Sequence, residues 1–241
     1  MKKLSNIEGI TDQDIVSVIR ESLTLPKKQE KRAQLLNEAY VLSSNKYDLT
    51  TEKLSEENKV AHQELLDGYV KAANEVSAAL DTADRENSNP NNSTFRNLKM
   101  DEVHNVNAAF LHGMFFENIS DVRSNIAMDS LTYMRLERDF GGFDAWQRDF
   151  IACALASRNG WVVTAYNFLL KRYVNVVVDL HNTGIPFSAH PAIVIDCWEH
   201  SYYRDYLKDR RSYIFSMMKE LRWSLIEERV RRIERMLEAA K

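Results

Sequence analysis

The stretch Asp196-Cys197-Trp198-Glu199-His200-Ser201-Tyr202-Tyr203 sets a carboxylate and an imidazole four positions apart, directly after the apolar run Pro191-Ala192-Ile193-Val194-Ile195. Five apolar residues in a row read as a buried strand. The carboxylate then sits at the strand end and the imidazole one turn beyond. Ionised groups are not left in such a place without a partner. A metal ion is the natural one: Asp196 offers an anionic oxygen, His200 a neutral nitrogen, and Trp198 and Tyr202 a dry aromatic wall.

The chain has six histidines, at 62, 104, 112, 181, 190 and 200, so each can be weighed singly. A helix beginning after Ser55 places His62, Leu66, Tyr69, Ala73, Val76 and Leu80 on one inward stripe. Residues 84–98, containing Asn87-Ser88-Asn89-Pro90-Asn91-Asn92-Ser93, read as a polar loop. A second helix, from about Met100 to Asn118, puts Ala108, His112, Phe115 and Ile119 on a common face. These helices form a hairpin whose two histidines face one core. Docked against the strand end, the hairpin would bring three nitrogens and one oxygen to a point. A lone buried histidine is usually a satisfied core residue; three converging with an aspartate are not. Such donors suit iron or manganese as well as zinc, and four protein ligands on a metal that prefers five or six leave an open, reactive position.

The remaining elements must position this set. Thr11-Asp12-Gln13-Asp14 looks like a capped helix start whose run stops before Pro26, and a further stretch is expected from Lys28 to about Leu42. Beyond Phe140-Gly141-Gly142-Phe143, a glycine break, a helix runs through Trp146 and Phe150 to Asn159-Gly160. Strands are expected at residues 160–166, 173–179 and 192–196, rich in β-branched and aromatic residues. Helices close the chain. The last, Trp223 to Ala240, carries the charged run at residues 227–235, read as a solvated face beside a narrow apolar stripe.

At 241 residues and 44% hydrophobic, the chain can bury a substantial core. A net charge of −3 with interspersed signs suggests neither a nucleic-acid arm nor a membrane-binding face. Without a signal peptide or an apolar run long enough to span a bilayer, a cytoplasmic protein is expected. Cys153 and Cys197 have neither metal-knuckle nor redox spacing and read as buried free thiols.

The strand-end DxWEHxYY segment resembles the signature of the iron/manganese superoxide dismutases almost residue for residue. Leu111-His112-Gly113-Met114-Phe115-Phe116-Glu117-Asn118-Ile119 looks like that family's second-helix motif of a histidine, aromatics and a following asparagine. In His62-Gln63-Glu64-Leu65-Leu66-Asp67-Gly68-Tyr69-Val70 the histidine stands seven residues before the tyrosine, where familiar members have eight. Aligned without a gap, Ala61 would take the ligand position; a one-residue deletion keeps His62 and Tyr69 on one helical face.

The resemblance spans roughly residues 40–228. It implies an α+β fold, with an N-terminal helical hairpin domain (39–120) packed on a C-terminal α/β domain (121–241) that holds a three-stranded antiparallel sheet. Residues 1–38 form a helical extension. The implied ligands are His62, His112, Asp196 and His200, around one iron or manganese ion per chain. His181 would hydrogen-bond the metal-bound solvent, Tyr69 would gate the substrate funnel, and Trp161 and Trp198 would wall the pocket. Glu199 would reach His200 of the partner subunit in a homodimer, with Tyr203 at the same interface. Leu65 stands where many members have a further funnel histidine, and His104 and His190 match no ligand.

The activity so implied is disproportionation of superoxide to dioxygen and hydrogen peroxide. Two other readings compete. One is a metal-free structural subunit of a larger assembly, ribosome-like or virion, with the extension as docking surface. The other is a non-haem iron oxygenase, which needs only two histidines and a carboxylate.

Overall fold

The computed structural model describes residues 39–119 and 124–239. The chain divides into Met1–Tyr40 and a compact unit, Val41–Lys241. The helices expected within residues 1–38 lie outside the described residues, and residues 39–42, the described end of the stretch expected from Lys28, are not helical.

Helix α1 (Glu56–Asp81) starts where the Ser55 hydroxyl accepts the Asn58 N–H at 3.2 Å, with Glu56 and Glu57 favourable to the dipole in the first turn. Its buried stripe runs Asn58, His62, Leu66, Val70, Ala73, Ser77 and Leu80. Tyr69 and Val76, expected on that stripe, are only half-buried, because steps of four carry the stripe on to Val70 and Ser77. Helix α2 (Thr94–Asn118) begins well before the expected Met100. Ser93, read as loop, accepts the Arg96 N–H at 3.2 Å and caps it.

Helix α3 (Leu131–Phe140) is closed by Gly141 at φ 77°, and α4 (Phe143–Ala156) follows at once, as the glycine break predicts. The sheet has the order β2-β1-β3, all antiparallel: β1 (Gly160–Asn167), β2 (Arg172–Asp179) and β3 (Ala189–Asp196). Strand β3 starts at Ala189 rather than Ala192. Pro191 is tolerated there because β3 is an edge strand whose register with β1 shifts between Thr164 and Ala165. The chain closes with α5 (Glu199–Tyr206), α6 (Arg210–Lys219) and α7 (Trp223–Ala239).

The hairpin lies on the sheet through α2 against β3, while α4 covers β1 and β2. This is the expected α+β architecture. Between the layers sit Phe115, Phe116, Trp146, Phe150, Trp161, Ile193, Ile195 and Tyr213, all 0–1% exposed. Gly160 opens β1 so close to β2 that a Cβ there would lie 1.9 Å from the Val178 carbonyl oxygen.

The charged run of α7 is not simply a solvated face. Arg229 is buried, and its guanidinium donates to the Glu117 carboxylate, the Asn118 side-chain oxygen and the carbonyls of Met114 and Ala192. Glu227 accepts the backbone N–H groups of Leu131 (3.2 Å) and Thr132 (2.8 Å), anchoring the start of α3. Cys197 is buried and Cys153 half-buried, both as free thiols.

Candidate metal centre

Strand β3 delivers Asp196 to the floor of the site opposite Trp161, its register partner on β1. The carboxylate is fully buried. One oxygen, Oδ1, accepts the Trp198 N–H at 2.8 Å. The other, Oδ2, faces His62 Nε2 at 3.1 Å, His200 Nε2 at 3.2 Å and His112 Nε2 at 3.7 Å. The Asp196 carbonyl is pinned by the Tyr213 hydroxyl at 2.8 Å. All four sequence-identified donor residues therefore meet, with ligand atoms within 4.8 Å of one another. His62 comes from α1, His112 from α2, and His200 from the first turn of α5.

The set fits a metal ion on its own chemistry. The Ala108 carbonyl, 2.7 Å from His112 Nδ1, can only accept, so in the neutral ring Nδ1 carries the hydrogen and Nε2 presents a lone pair. That lone pair points toward a carboxylate oxygen and lies 3.4 Å from His200 Nε2. Electron pairs converging in a dry site repel unless a cation lies among them. Burial pushes His112 down to about 3 and lowers His62. Burial alone would raise Asp196, but the charge and hydrogen bond of His200, followed by those of His62, hold it below the usual carboxylate range. Near neutrality His62 and His112 are thus neutral imidazoles and Asp196 an anionic oxygen, the forms that ligate metals.

A ring of aromatic and imidazole side chains surrounds these donors. His62 packs edge-on to Phe116 with centroids 4.8 Å apart, His112 edge-on to Trp161 at 4.8 Å, and Trp198 stacks on His200 at 5.6 Å. His181 is fully buried, stacked on Trp198 at 5.1 Å. Leu180, at φ 56°, turns the chain just before it. Trp161 Nε1–H donates to His181 Nδ1 at 3.0 Å, and an indole cannot accept. The His181 hydrogen is therefore on Nε2, where it donates to the Tyr69 hydroxyl at 3.0 Å. Both ring nitrogens of His181 are thereby engaged. Burial, and then the neighbouring His104, lower His181 to about 4. Burial, and then Asp196, raise Tyr69.

Glu199 and Tyr203 are exposed on α5, and the His200 side chain is 28% exposed. His190 is half-buried beside Arg232, apart from the four donors. His104, which matched no ligand, packs edge-on to His181 (4.7 Å) and Tyr69 (6.1 Å). Its place was readable in principle: His104, Ala108 and His112 stand four apart on one stripe of α2.

A helical hairpin on a small antiparallel sheet, with three imidazoles and a carboxylate converging between them, is a metalloprotein architecture, and similarity to known proteins narrows it. The model described as the C-terminal domain of iron/manganese superoxide dismutases matches residues 129–229. An iron superoxide dismutase of Aquifex aeolicus is 33% identical over 177 residues, 72% of this chain and 82% of that protein. Manganese superoxide dismutase 2 of Halobacterium salinarum is 33% identical over 165 residues, covering 68% and 78% respectively. The chain belongs to the iron/manganese superoxide dismutase family.

Proposed function

We propose that this protein disproportionates superoxide to dioxygen and hydrogen peroxide at one iron or manganese ion per chain, held by His62, His112, Asp196 and His200. The observation that carries this reading is the convergence of three Nε2 atoms within 3.7 Å of Asp196 Oδ2. Relatives named for iron and for manganese are equally similar, so either metal is consistent with it. When bound there, the ion supplies a one-electron couple, +3/+2, that takes an electron from one superoxide and returns it to the next.

The chain's own residues govern protons and access. Asp196 and three neutral imidazoles leave the ligand set with a single negative charge, so a di- or trivalent ion keeps the centre positive and attracts a small anion. With Nε2–H of His181 donated to the Tyr69 oxygen, the Tyr69 O–H is left free to donate. His181 then acts through Tyr69, which offers a proton at the rim of the pocket. Trp161 and Trp198 exclude water and hold His181 between them.

In this reading a second copy packs on α5, with Glu199 reaching His200 of the partner subunit and Tyr203 alongside. Residues 1–38 are an extension outside the catalytic unit, which comprises the hairpin (39–120) and the α/β part (121–241). Of the features that favour a metal-free assembly subunit, which are the extension, the polar stretch around Asn89 and the displaced His62, the last is answered by the 3.1 Å approach of His62 to Asp196, which supports the enzyme.

The test is elemental analysis of the purified chain beside a superoxide-consumption assay. About one iron or manganese per chain with rapid superoxide loss is expected. A chain that binds neither metal, or that loads either one and leaves superoxide to decay at its uncatalysed rate, overturns the reading.

A further inference from the structure

We infer that His104 is the solvent-side proton-exchange partner of the Tyr69–His181 pair, a positioning and relay residue of the site that lies outside its ligand set. The inference rests on the dismutase reading.

The geometry is a triangle of rings. His104 lies edge-on to His181 with centroids 4.7 Å apart and interplanar angle 71°, and edge-on to Tyr69 at 6.1 Å and 62°. Tyr69 and His181 close the triangle at 4.9 Å and 74°. The triangle is graded in exposure: His181 is fully buried, while Tyr69 and His104 are half-buried. One stripe of α2 therefore runs from a half-buried imidazole at its outer end to a fully buried one, His112, at its inner end. Ala108 lies between them, fully buried. Tyr69 packs beside both histidines, 5.2 Å from His112 by ring centroid.

The chemistry needs such a group. Two superoxide anions and two protons give dioxygen and hydrogen peroxide, so each cycle consumes two protons that must come from water. The His181 N–H is donated to Tyr69, and its other nitrogen accepts from Trp161, so His181 cannot itself collect a proton from outside. After the Tyr69 hydroxyl gives up its proton, it is reprotonated by way of half-buried His104, whose ring packs edge-on to it with centroids 6.1 Å apart. His104 takes one proton from water and hands one on, returning to its starting state with no net change. The titratable groups packed against it are Tyr69, from α1, and His181, after β2.

The test compares the metal-loaded wild type with His104→Gln, which keeps size and polarity, and His104→Ala, which leaves space for a small buffer. General acid–base assistance is worth roughly 10²–10⁴-fold. An outer relay that water partly bypasses falls at or below that floor, so kcat should drop about 10- to 100-fold in both variants while kcat/KM changes little. Added imidazole should restore kcat in His104→Ala. Unchanged kcat, or a loss that imidazole does not repair, overturns the inference.

A second measurement needs no metal and no turnover: in metal-free protein, exchange of the His181 Nε2–H with water, followed by ¹⁵N-resolved NMR. Slower exchange in His104→Gln is expected; equal or faster exchange, as from mere loosening of the packing, counts against a relay. A wild type that loads metal without consuming superoxide would defeat the dismutase reading instead, and this exchange measurement would still judge His104.

Discussion

Trp161 donates its indole N–H to His181 Nδ1 across 3.0 Å, and this one bond decides which nitrogen of the histidine carries its hydrogen. The Trp161→Phe variant removes the donor and leaves Nδ1 buried and unpaired, at a cost of about 1–3 kcal/mol before any cavity is counted. His181 is then free to move its hydrogen to Nδ1 and cease donating to Tyr69. Metal content near that of the wild type, with dismutation reduced on the order of tenfold or more, is expected. Elemental analysis and pulse-radiolysis kinetics on the same preparation check it.

Asp196→Asn keeps the shape of the floor and removes its charge. Saturating metal at about 1,000 times its Kd stabilises a folded protein by roughly 4 kcal/mol. Adding iron or manganese should therefore raise the melting temperature of the wild type and leave that of Asp196→Asn almost unchanged. An equal rise in both proteins would show that the carboxylate is not a ligand.

The metal-free protein should weaken as pH falls below about 6.5. His112 and His181 are held near 3 and 4 when folded, by burial above all, whereas an unfolded histidine titrates near 6.5. Between those values the unfolded chain binds more protons, so stability is fully present above about 6.5 and is lost as pH drops toward the folded values. Each group contributes a slope of at most about 1.4 kcal/mol per pH unit. Asp196, also held below its ordinary range, adds a loss in the same direction at still lower pH. Urea unfolding between pH 7.5 and 4.5, in wild type and His181→Gln, measures this; the variant should show the shallower dependence.

Arg229 ties α7 to α2 and β3 through four acceptors, among them Asn118, whose side-chain NH2 in turn donates to the Val194 carbonyl at 2.7 Å. Breaking such a buried charged cluster from one side costs about 3–5 kcal/mol. Arg229→Met should lose that much in chemical denaturation. Arg229→Lys should recover little, because one ammonium cannot span the acceptors that a planar guanidinium reaches.

Much of the architecture was legible because its signals are local. The apolar run before Asp196, the β-branched stretches of β1 and β2, and the Gly141-Gly142 break each specify an element from neighbouring residues alone. The convergence of the four donors was legible from local patterns: His62 on its inward stripe, His112 on one face with Ala108, Phe115 and Ile119, and Asp196 and His200 at the end of an apolar strand. Three features were hidden. Ser93 reads as one more polar loop residue until its hydroxyl is seen capping α2. Arg229 sits in a run of charges, and nothing in its neighbours marks the one that turns inward to find partners more than a hundred residues earlier. His104 was set aside because it supplies no ligand, and a helical stripe does not say which side chains of other elements will lie beside it.

The hairpin bearing His62 and His112 is synthesised whole long before the strand that brings Asp196, 134 residues after His62. While the chain is still growing on the ribosome, the early helices carry two inward imidazoles with no anion to hold a cation between them. In the metal-binding reading, acquisition of the ion is therefore a late step in the birth of this molecule, closing a clasp between the hairpin and a strand made well after it, and a nascent chain halted before residue 196 should leave the ribosome without metal.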